Sequence, residues 1–430
     1  MANTLFDHGF SGNYPVIVEA QKMKFESIHS MHWGKFVGFT TPDGAAVKER
    51  DMARPTASMV SIHNELKRKG GDLLEMPLHR NLTQRGRIGN QQLKDHEERP
   101  KVNFAQIPIE LYRAAELPMD GSMGKQTTKE IDLVKHARPA LQRHYSRFLN
   151  WLLCSYSMYY GYSWNVINSD RWANDSKIST ASHPHIFLSG RGKVTYSGGY
   201  PGTSGYETSV GNEINLLGAS DVFDTAYLEG LKADPATMKI PPIIMSHGNE
   251  LRMIWAHPWQ IDSLEKDPRF NTTANHAYVQ TLVKENPLLY GMRYVWAGFG
   301  IFPFDTGIWP VHVADSSATY SNNGFSSGDV VYGPTDVNKF TDITTFEGYS
   351  TYDTFAALMM GSNALNIANG DALEFRKRTD DYGEIMGLAY RVMTGGARND
   401  FWNRDDGTTG QHLVNESSAV LITKASKPAF

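Results

Sequence analysis

The chain has 430 residues, 40% hydrophobic and 20% charged, enough for two or three compact units. A formal net charge of -4 excludes a bulk electrostatic drive onto nucleic acid or an anionic membrane, and no apolar run approaches the roughly 20 residues of a membrane helix. The single Cys154 excludes an internal disulfide and a cysteine-rich zinc site; the segment MANTLFDHGFSGNYPVIVEAQKMKF has no basic start followed by an apolar block, so synthesis in a cytoplasm without a secretory signal is expected.

Residues 1–70 carry their apolar side chains singly, as at Phe6, Tyr14, Phe25 and Phe39. The aromatic content argues for an extended arm lying on a neighbouring surface rather than a disordered tail. A short helix is predicted over Ala57–Lys69, stopped by Gly70-Gly71. Over 71–118 two stretches of period two follow each other. Leu74, Met76 and Leu78 alternate with Glu75, Pro77 and His79. On the return Val102 and Phe104 alternate, then Ile107, Ile109 and Leu111 continue in the other phase, which predicts a bulge at Gln106-Ile107. Pro77 and Pro108 belong on sheet edges. The polar tip between the strands carries Arg80, Arg85, Arg87, Lys94, Asp95, Glu97, Glu98 and Arg99. Hairpins usually close in about two to five residues, and a two-stranded ribbon is marginal alone in water. A ribbon this long needs a surface to lie on.

A long helix is predicted over 128–156. Leu133, Ala137, Leu141, Tyr145, Phe148, Leu152 and Tyr156 form its apolar face; Lys135, Gln142, Arg143, Arg147 and Asn150 take the other. Pro139 removes one helical hydrogen bond and predicts a kink. Residues 157–215 show no long periodicity apart from the strand-like HIFLSGRGKVTYSGGY, and read as an irregular insertion. A helix at Ser220–Lys232, strands at Ile240–Met245 and Leu251–Ala256, and a helix in HPWQIDSLEKDPRF follow. Pro258 suits the first helical position, and that helix should stop before Asp267-Pro268. A Gly- and Asn-rich excursion occupies 316–339. A helix is predicted over Asp353–Ala368 on Phe355, Leu358, Met359, Ala364, Leu365 and Ile367, then strands at Ile385–Met393 and Ala419–Thr423. The sum is a mixed α+β protein without a fixed repeat.

Local constellations that carry chemistry are weak. There is no HExxH and no Gly-x-Ser-x-Gly. Ser189-Gly190-Arg191-Gly192-Lys193 lacks the upstream Gly and the hydroxyl residue of a phosphate loop, and Gly298-Phe299-Gly300 lacks the third Gly of a dinucleotide loop. His183-Pro184-His185 has no local carboxylate partner for a metal; Asp405-Asp406-Gly407 reads as a turn; His257 reads as a helix-entry residue and Cys154 as an inert core thiol. No catalytic, cofactor or metal site is expected.

The order of elements resembles the capsid fold first known from bacteriophage Hong Kong 97, and more narrowly the major capsid proteins of N-four-like podophages. The likeness rests on GGDLLEMPL, IDLVKHARPALQRHYSRFLNWLL, IIMSHGNELRMIWAHPWQIDSLEKDPRF, NPLLYGMRYVWAGFGIF and RTDDYGEIMGLAYRVMTGGARNDF, in that order. It implies an N-terminal arm at 1–70, an extended hairpin loop at 71–118, and a peripheral domain at 119–235 with its spine helix at 128–156. An axial domain at 236–370 and closing strands of both domains at 371–430 complete it. Pro139 inside the spine helix and the length of the excursions at 157–215 and 316–339 depart from the family pattern. By this likeness the chain is a major capsid protein that forms hexamers and pentamers of an icosahedral shell, built in the bacterial cytoplasm around double-stranded DNA held weakly and without sequence preference. Arg80, Arg85, Arg87, Lys94, Asp95, Glu97, Glu98 and Arg99 become candidate inter-subunit contacts, and Pro139 a candidate hinge for shell curvature. A separate scaffolding protein, a portal protein and a decoration or cement protein are the expected partners, with no membrane and no cofactor. The alternatives are an encapsulin-type compartment shell, a receptor- or carbohydrate-binding virion component, and an enzyme with a dispersed site.

Overall fold

The structure, a computed structural model, describes residues 37–39, 59–63, 73–79, 102–119, 133–158, 185–193, 204–244, 250–270, 292–304, 311–313, 330–332, 353–370, 374–380, 385–403, 412–415 and 417–425. The first part of the chain contributes β1 (Val37–Phe39), β2 (Val60–His63), β3 (Leu73–His79), β4 (Val102–Pro108), β5 (Glu110–Met119) and helix α1 (Leu133–Met158). Next come β6 (Ile186–Leu188), β7 (Gly192–Lys193), α2 (Ser204–Asn215), α3 (Thr225–Ala233), α4 (Pro235–Lys239), β8 (Ile243–Ile244), β9 (Glu250–Ala256) and α5 (Pro258–Glu265). The remainder is strand: β10 (Tyr294–Trp296), β11 (Phe299–Pro303), β12 (Val311–Val313), β13 (Val330–Tyr332), β14 (Thr354–Met360), β15 (Leu365–Asn369), β16 (Glu374–Asp380), β17 (Ile385–Arg398), β18 (Asp400–Asn403), β19 (His412–Asn415) and β20 (Ser418–Lys424).

Two large sheets organise these elements. One runs β10-β11-β9-β14-β20-β6-β7, with β8 added to β9. Its middle strand β14 is buried along its whole length and paired on both sides, with β20 and with β9. The helix predicted over 353–368 is therefore wrong. A strand covered on both faces is an unbroken apolar run, which periodicity alone does not separate from a buried helix. Gly361, Ser362 and Asn363, the last at φ 53°, turn the chain from β14 into β15. Helices α3 and α5 cover one face, where Leu228, Leu231, Ile261 and Leu264 join Phe187, Ile254, Phe299 and Leu421 in one core. On the other face the buried rings of Trp255 and Phe302 stack at 5.5 Å.

Helix α5 is legible from its sequence. Pro258 opens it, His257 Nδ1 accepts from the Trp259 N–H, and the Gln260 side chain reaches back to the His257 N–H as a capping box. Gln260 is also fully buried; its amide donates to Phe355 O and to Thr423 Oγ1 at 2.8 Å, tying the helix to β14 and β20. At the same end of those strands Lys424 Nζ meets Asp353 Oδ2 at 2.6 Å. Burial alone would raise the Asp353 carboxyl, but the Lys424 ammonium and the Thr354 hydroxyl hold it below the usual range.

The second sheet runs β1-β2-β15-β17-β16, with β5 on β17. Strand β2 replaces the helix predicted over 57–69. Val60, Ser61 and Ile62 are buried, and β2 pairs in parallel with β15 from Val60↔Leu365 to Ala368↔His63. A partner some 300 positions away decides the conformation, and no local signal carries that. The polar groups follow the pairing: Ser61 Oγ donates to Asn363 Oδ1 at 3.0 Å, and His63 Nε2 lies 3.2 Å from Asn366 Oδ1. Strands β15 and β16 lie one after the other along β17, and β5 pairs with β17 from Glu110↔Thr394 to Met386↔Met119.

The strand-like stretch HIFLSGRGKVTYSGGY does form β6 and β7, while the irregular readings of the rest of 157–215 and of 316–339 need correction. The first also contains α2, and the second contains β13, which pairs with β12. Helix α2 is rich in Gly, Ser, Thr and Asn, residues of poor helix propensity; the four-residue spacing of buried Val210 and Ile214 is its one helical signal. The two glycine motifs are turns. Gly190 and Gly192 have φ 71° and 75° between β6 and β7, and Ala297-Gly298, at φ 52° and 90°, close the β10–β11 hairpin.

Candidate inter-subunit surfaces

Strands β3 and β4 form a two-stranded antiparallel ribbon of their own, in unbroken register from Leu73↔Pro108 to His79↔Val102. The predicted bulge at Gln106-Ile107 is absent. The ladder runs through the change of apolar phase without a break, and it is the pairing partner that changes at Ile109, where the chain leaves β3 and takes up β17 through β5. Pro108 has no N–H to extend the ladder, so the ribbon ends there. At this root Leu74, Ile107 and Ile109 are buried with Ala368 and Ala397, and Met393 packs against them. The ribbon is thus fixed to its own body at the base. Its charged tip, with Arg80, Arg85, Arg87, Lys94, Asp95, Glu97, Glu98 and Arg99, lies outside the described residues.

Helix α1 lies against β5 and β17 through an aromatic clamp. Tyr112 stacks on Phe148 with centroids 4.1 Å apart, and Tyr145 meets the edge of Tyr390 at 5.5 Å. Tyr390 Oη and His144 Nδ1 are hydrogen-bonded at 2.9 Å. Burial pushes the Tyr112 phenol up to about 12, a hydrogen bond with Tyr390 opposing, and burial also raises Tyr145 and Tyr390. The Tyr112 and Tyr390 hydroxyls are hydrogen-bonded to each other, and Tyr390 with His144 ties α1 to β17. Leu141, Tyr145 and Phe148 are buried as the helical spacing predicts, and Leu149 and Leu153 widen that stripe. The helix continues through Pro139, which sits on its exposed side; Arg143 Nε donates to Pro139 O at 3.4 Å.

The face of this sheet away from α1 was not singled out by the sequence. The ladder aligns Arg113, Arg391 and Glu374 across three strands, with Arg376 two positions along β16. Tyr112 and Tyr390 meet α1, so period two puts Arg113 and Arg391 on the opposite face. Ala115, Ala389 and Gly387 floor the platform between them. Arg113 and Arg376 are exposed and Arg391 half-buried. Glu374 serves two of the arginines, at 3.3 Å from Arg376 Nη2 and 3.7 Å from Arg391 Nε. Leu111, on the same face, is 40% exposed, one of three large hydrophobic residues so exposed among the described residues. No local sequence signal marks this face, because its residues come from three strands that only the ladder brings together.

Among the described residues no group of three or more His, Cys, Asp or Glu could hold a metal, and no helix is long and apolar enough to cross a membrane. A rooted ribbon, a clamped long helix and an exposed charged sheet face are the surface features of the described residues. The phage capsid protein family matches residues 44–428, and the chain belongs to that family. It is accordingly a phage capsid protein, a structural component of the virion shell.

Solved structures give the fold. The capsid of Ralstonia phage GP4 is similar with a TM-score of 0.60 at 16% identity, covering 92% of this chain and 91% of that one. The acid-stable capsid of Helicobacter pylori bacteriophage KHP30 has a TM-score of 0.51 at 11% identity, covering 92% and 91%. The Cyanophage Pam1 capsid has a TM-score of 0.50 at 14% identity, covering 86% and 89%. The fold is the Hong Kong 97-type capsid fold, as the order of elements implied. No curated protein is significantly similar in sequence.

Proposed function

We propose that copies of this chain form hexamers and pentamers in which each β3–β4 hairpin lies across the adjacent subunit, and that the closed shell holds the double-stranded DNA of a tailed phage. The observation that carries this reading is the hairpin itself: among the described residues its strands pair only with each other, while its root is buried in its own subunit. A ribbon of two strands is marginal in water and gains stability when laid on a second surface. Exposed charge pairs at its tip contribute only about 0–1 kcal/mol each, but set register and partner choice. Shell stability then comes from many modest contacts acting together. A scaffolding protein, a portal protein and a decoration protein complete the set of partners. The N-four-like podophage kinship belongs to the same proposal and rests on the quoted segments in their order.

The test shortens the hairpin. Joining His79 to Val102, the last registered pair, through Asn-Gly keeps both strands and removes the tip. The shortened chain should unfold at the same temperature as the parent yet form no closed shells under electron microscopy. Shells of normal diameter from that chain would refute the reading.

Pro139 is the proposed site of bending between pentamer and hexamer forms of α1, since proline lacks the hydrogen bond that stiffens a helix. A Pro139→Ala chain should shift the ratio of closed shells to aberrant tubes or fragments. Identical shells in identical yield would remove Pro139 from the account.

A further inference from the structure

We infer that the side of α1 turned away from the sheet, centred on Arg143, rests against the phosphate backbone of duplex DNA, so that α1 lines the inside of the shell. This rests on the reading that the shell encloses a double-stranded genome, and adds which surface meets it.

Three observations carry it. The first is charge. Helix α1 holds Lys135, Arg138, Arg143 and Arg147 and no Asp or Glu, in a chain whose acids outnumber its bases by 46 to 42. A helix face that is only solvated usually interleaves both signs, which pair at four-residue steps; α1 has no acid to pair with. Arg143 is exposed, and its Nε donates to Pro139 O rather than to a carboxylate. On the same side of β5 stands Glu116, half-buried, which makes no ion pair with it among the described residues.

The second observation is geometry. Leu141, Tyr145, Phe148 and Leu149 are buried, and the aromatic clamp holds that side of α1 to β5 and β17. At about 3.6 residues per turn, Arg143 and Asn150 fall on the opposite side, about 10 Å apart along the axis. Arginine and asparagine are both donors to phosphate oxygens. A rod of 26 residues, about 39 Å long, presents this side as a ridge. A ridge lies along phosphates without entering a groove, and such contacts carry no base sequence. A few of them per copy hold the duplex weakly, and many copies add up.

The third is which side of the wall α1 occupies. Tyr390 meets α1, whereas Met393 and Ala397, at odd steps along β17, join Ile107 and Ile109 at the hairpin root. The helix and the hairpin therefore stand on opposite faces of one sheet. Rotation about a ring axis keeps each face on its own side in every copy. With hairpins crossing neighbours on one side of the wall, α1 lines the other. On the hairpin side Glu374 serves Arg376 and Arg391, so that face is partly neutralised from within. The α1 side is the one that needs an outside anion.

The experiment titrates the unassembled full chain with a short duplex of mixed sequence, read by fluorescence anisotropy over a series of salt concentrations. Thermal denaturation first shows that each variant is folded. Arg143→Gln should flatten the slope of log affinity against log salt by about one. Arg143→Glu with Asn150→Glu should lower affinity about tenfold or more at about 50 mM salt. Arg113→Glu with Arg376→Glu, on the other face, changes the net charge by more and should lower it less. Closed shells of the parent should bind added duplex far more weakly than the unassembled chain, because α1 is then enclosed.

An unchanged slope in Arg143→Gln would overturn the inference, as would an equal loss from the Arg113 and Arg376 pair, which would reduce the effect to bulk charge. Closed shells that bind added duplex as tightly as the free chain would put α1 on the outside. Polyglutamate bound more tightly than the duplex would give the face to an acidic protein such as the scaffold. The ring reading is judged separately, by whether the shortened hairpin abolishes shells. A shortened chain that closes shells defeats that reading and leaves the duplex titration to stand on its own.

Discussion

Replacing Gly361 by alanine should destabilise the chain by about 3 kcal/mol or more. A Cβ at this position would collide with the Pro241 carbonyl oxygen, and would stand 2.8 Å from Ile240 Cγ2 and 3.2 Å from the Pro241 carbonyl carbon. Side chains can swing away from such a contact, but here the main obstacle is backbone. The backbone on both sides is pinned: Gly361 N–H donates to Ser417 O at 2.8 Å, and Ser362 N–H donates to Pro241 O at 3.0 Å. Moving Gly361 outward breaks bonds that hold β14 to the segment before β20. Moving Pro241 disturbs Ile240, which is fully buried in the main core. Gly230→Ala is the control. It lies in α3, its added Cβ meets nothing within 4 Å, and the change should be neutral or stabilising by up to about 1 kcal/mol. Urea unfolding of the full chain reads both. Equal midpoints for the two variants would show that the close approach is not a constraint.

Tyr390→Ala should be comparably severe, about 3–5 kcal/mol, because a large, fully buried ring is removed from a site with little room to collapse. The loss is not confined to one contact. Tyr390 is hydrogen-bonded to His144 and touches Tyr145 on α1, and it faces Tyr112 on β5 with centroids 5.7 Å apart. Without it, α1 keeps the Tyr112–Phe148 stack on β5 and, on β17, the hydrogen bond that Arg398 Nη1 donates to Ser157 O, but loses the ring contact and hydrogen bond that fix its middle to β17. Tyr390→Phe separates ring from hydroxyl; it keeps the packing and should cost about 1 kcal/mol. The two variants are compared by urea unfolding and by proteolysis within 133–158. Cleavage there should rise sharply for alanine and little for phenylalanine. Equal protection in both would place the strength of the clamp elsewhere.

Much of this architecture is legible from local signals because local chemistry decides it. Pro258 at the first helical position announces α5, the spacing of Leu141, Tyr145 and Phe148 announces α1, and alternation announces β3 and β4. The failures share one cause. Strand β2 and the pair β14–β15 take their conformation from partners far along the chain, and a strand buried on both faces shows neither period. Helix α2 reverses the problem, since its composition disfavours a helix that packing imposes. The candidate contacts were half visible. The charged tip stands out as sequence, whereas the arginine platform exists only once β5, β16 and β17 are in register.

The junction at Ile109 also determines how the subunit bears load. The chain passes from the ribbon directly into β5, and β5 is bonded to the long strand β17 from Glu110↔Thr394 onward. A tug on the ribbon along β5, as when a filled container swells from within, stresses those rungs side by side in shear. None can open without its neighbours, whereas a pull across the ladder would unzip them one at a time. The anchoring strand therefore resists tension as a lap joint does, with the grease-tight seal of Leu74, Ile107 and Ile109 at its mouth.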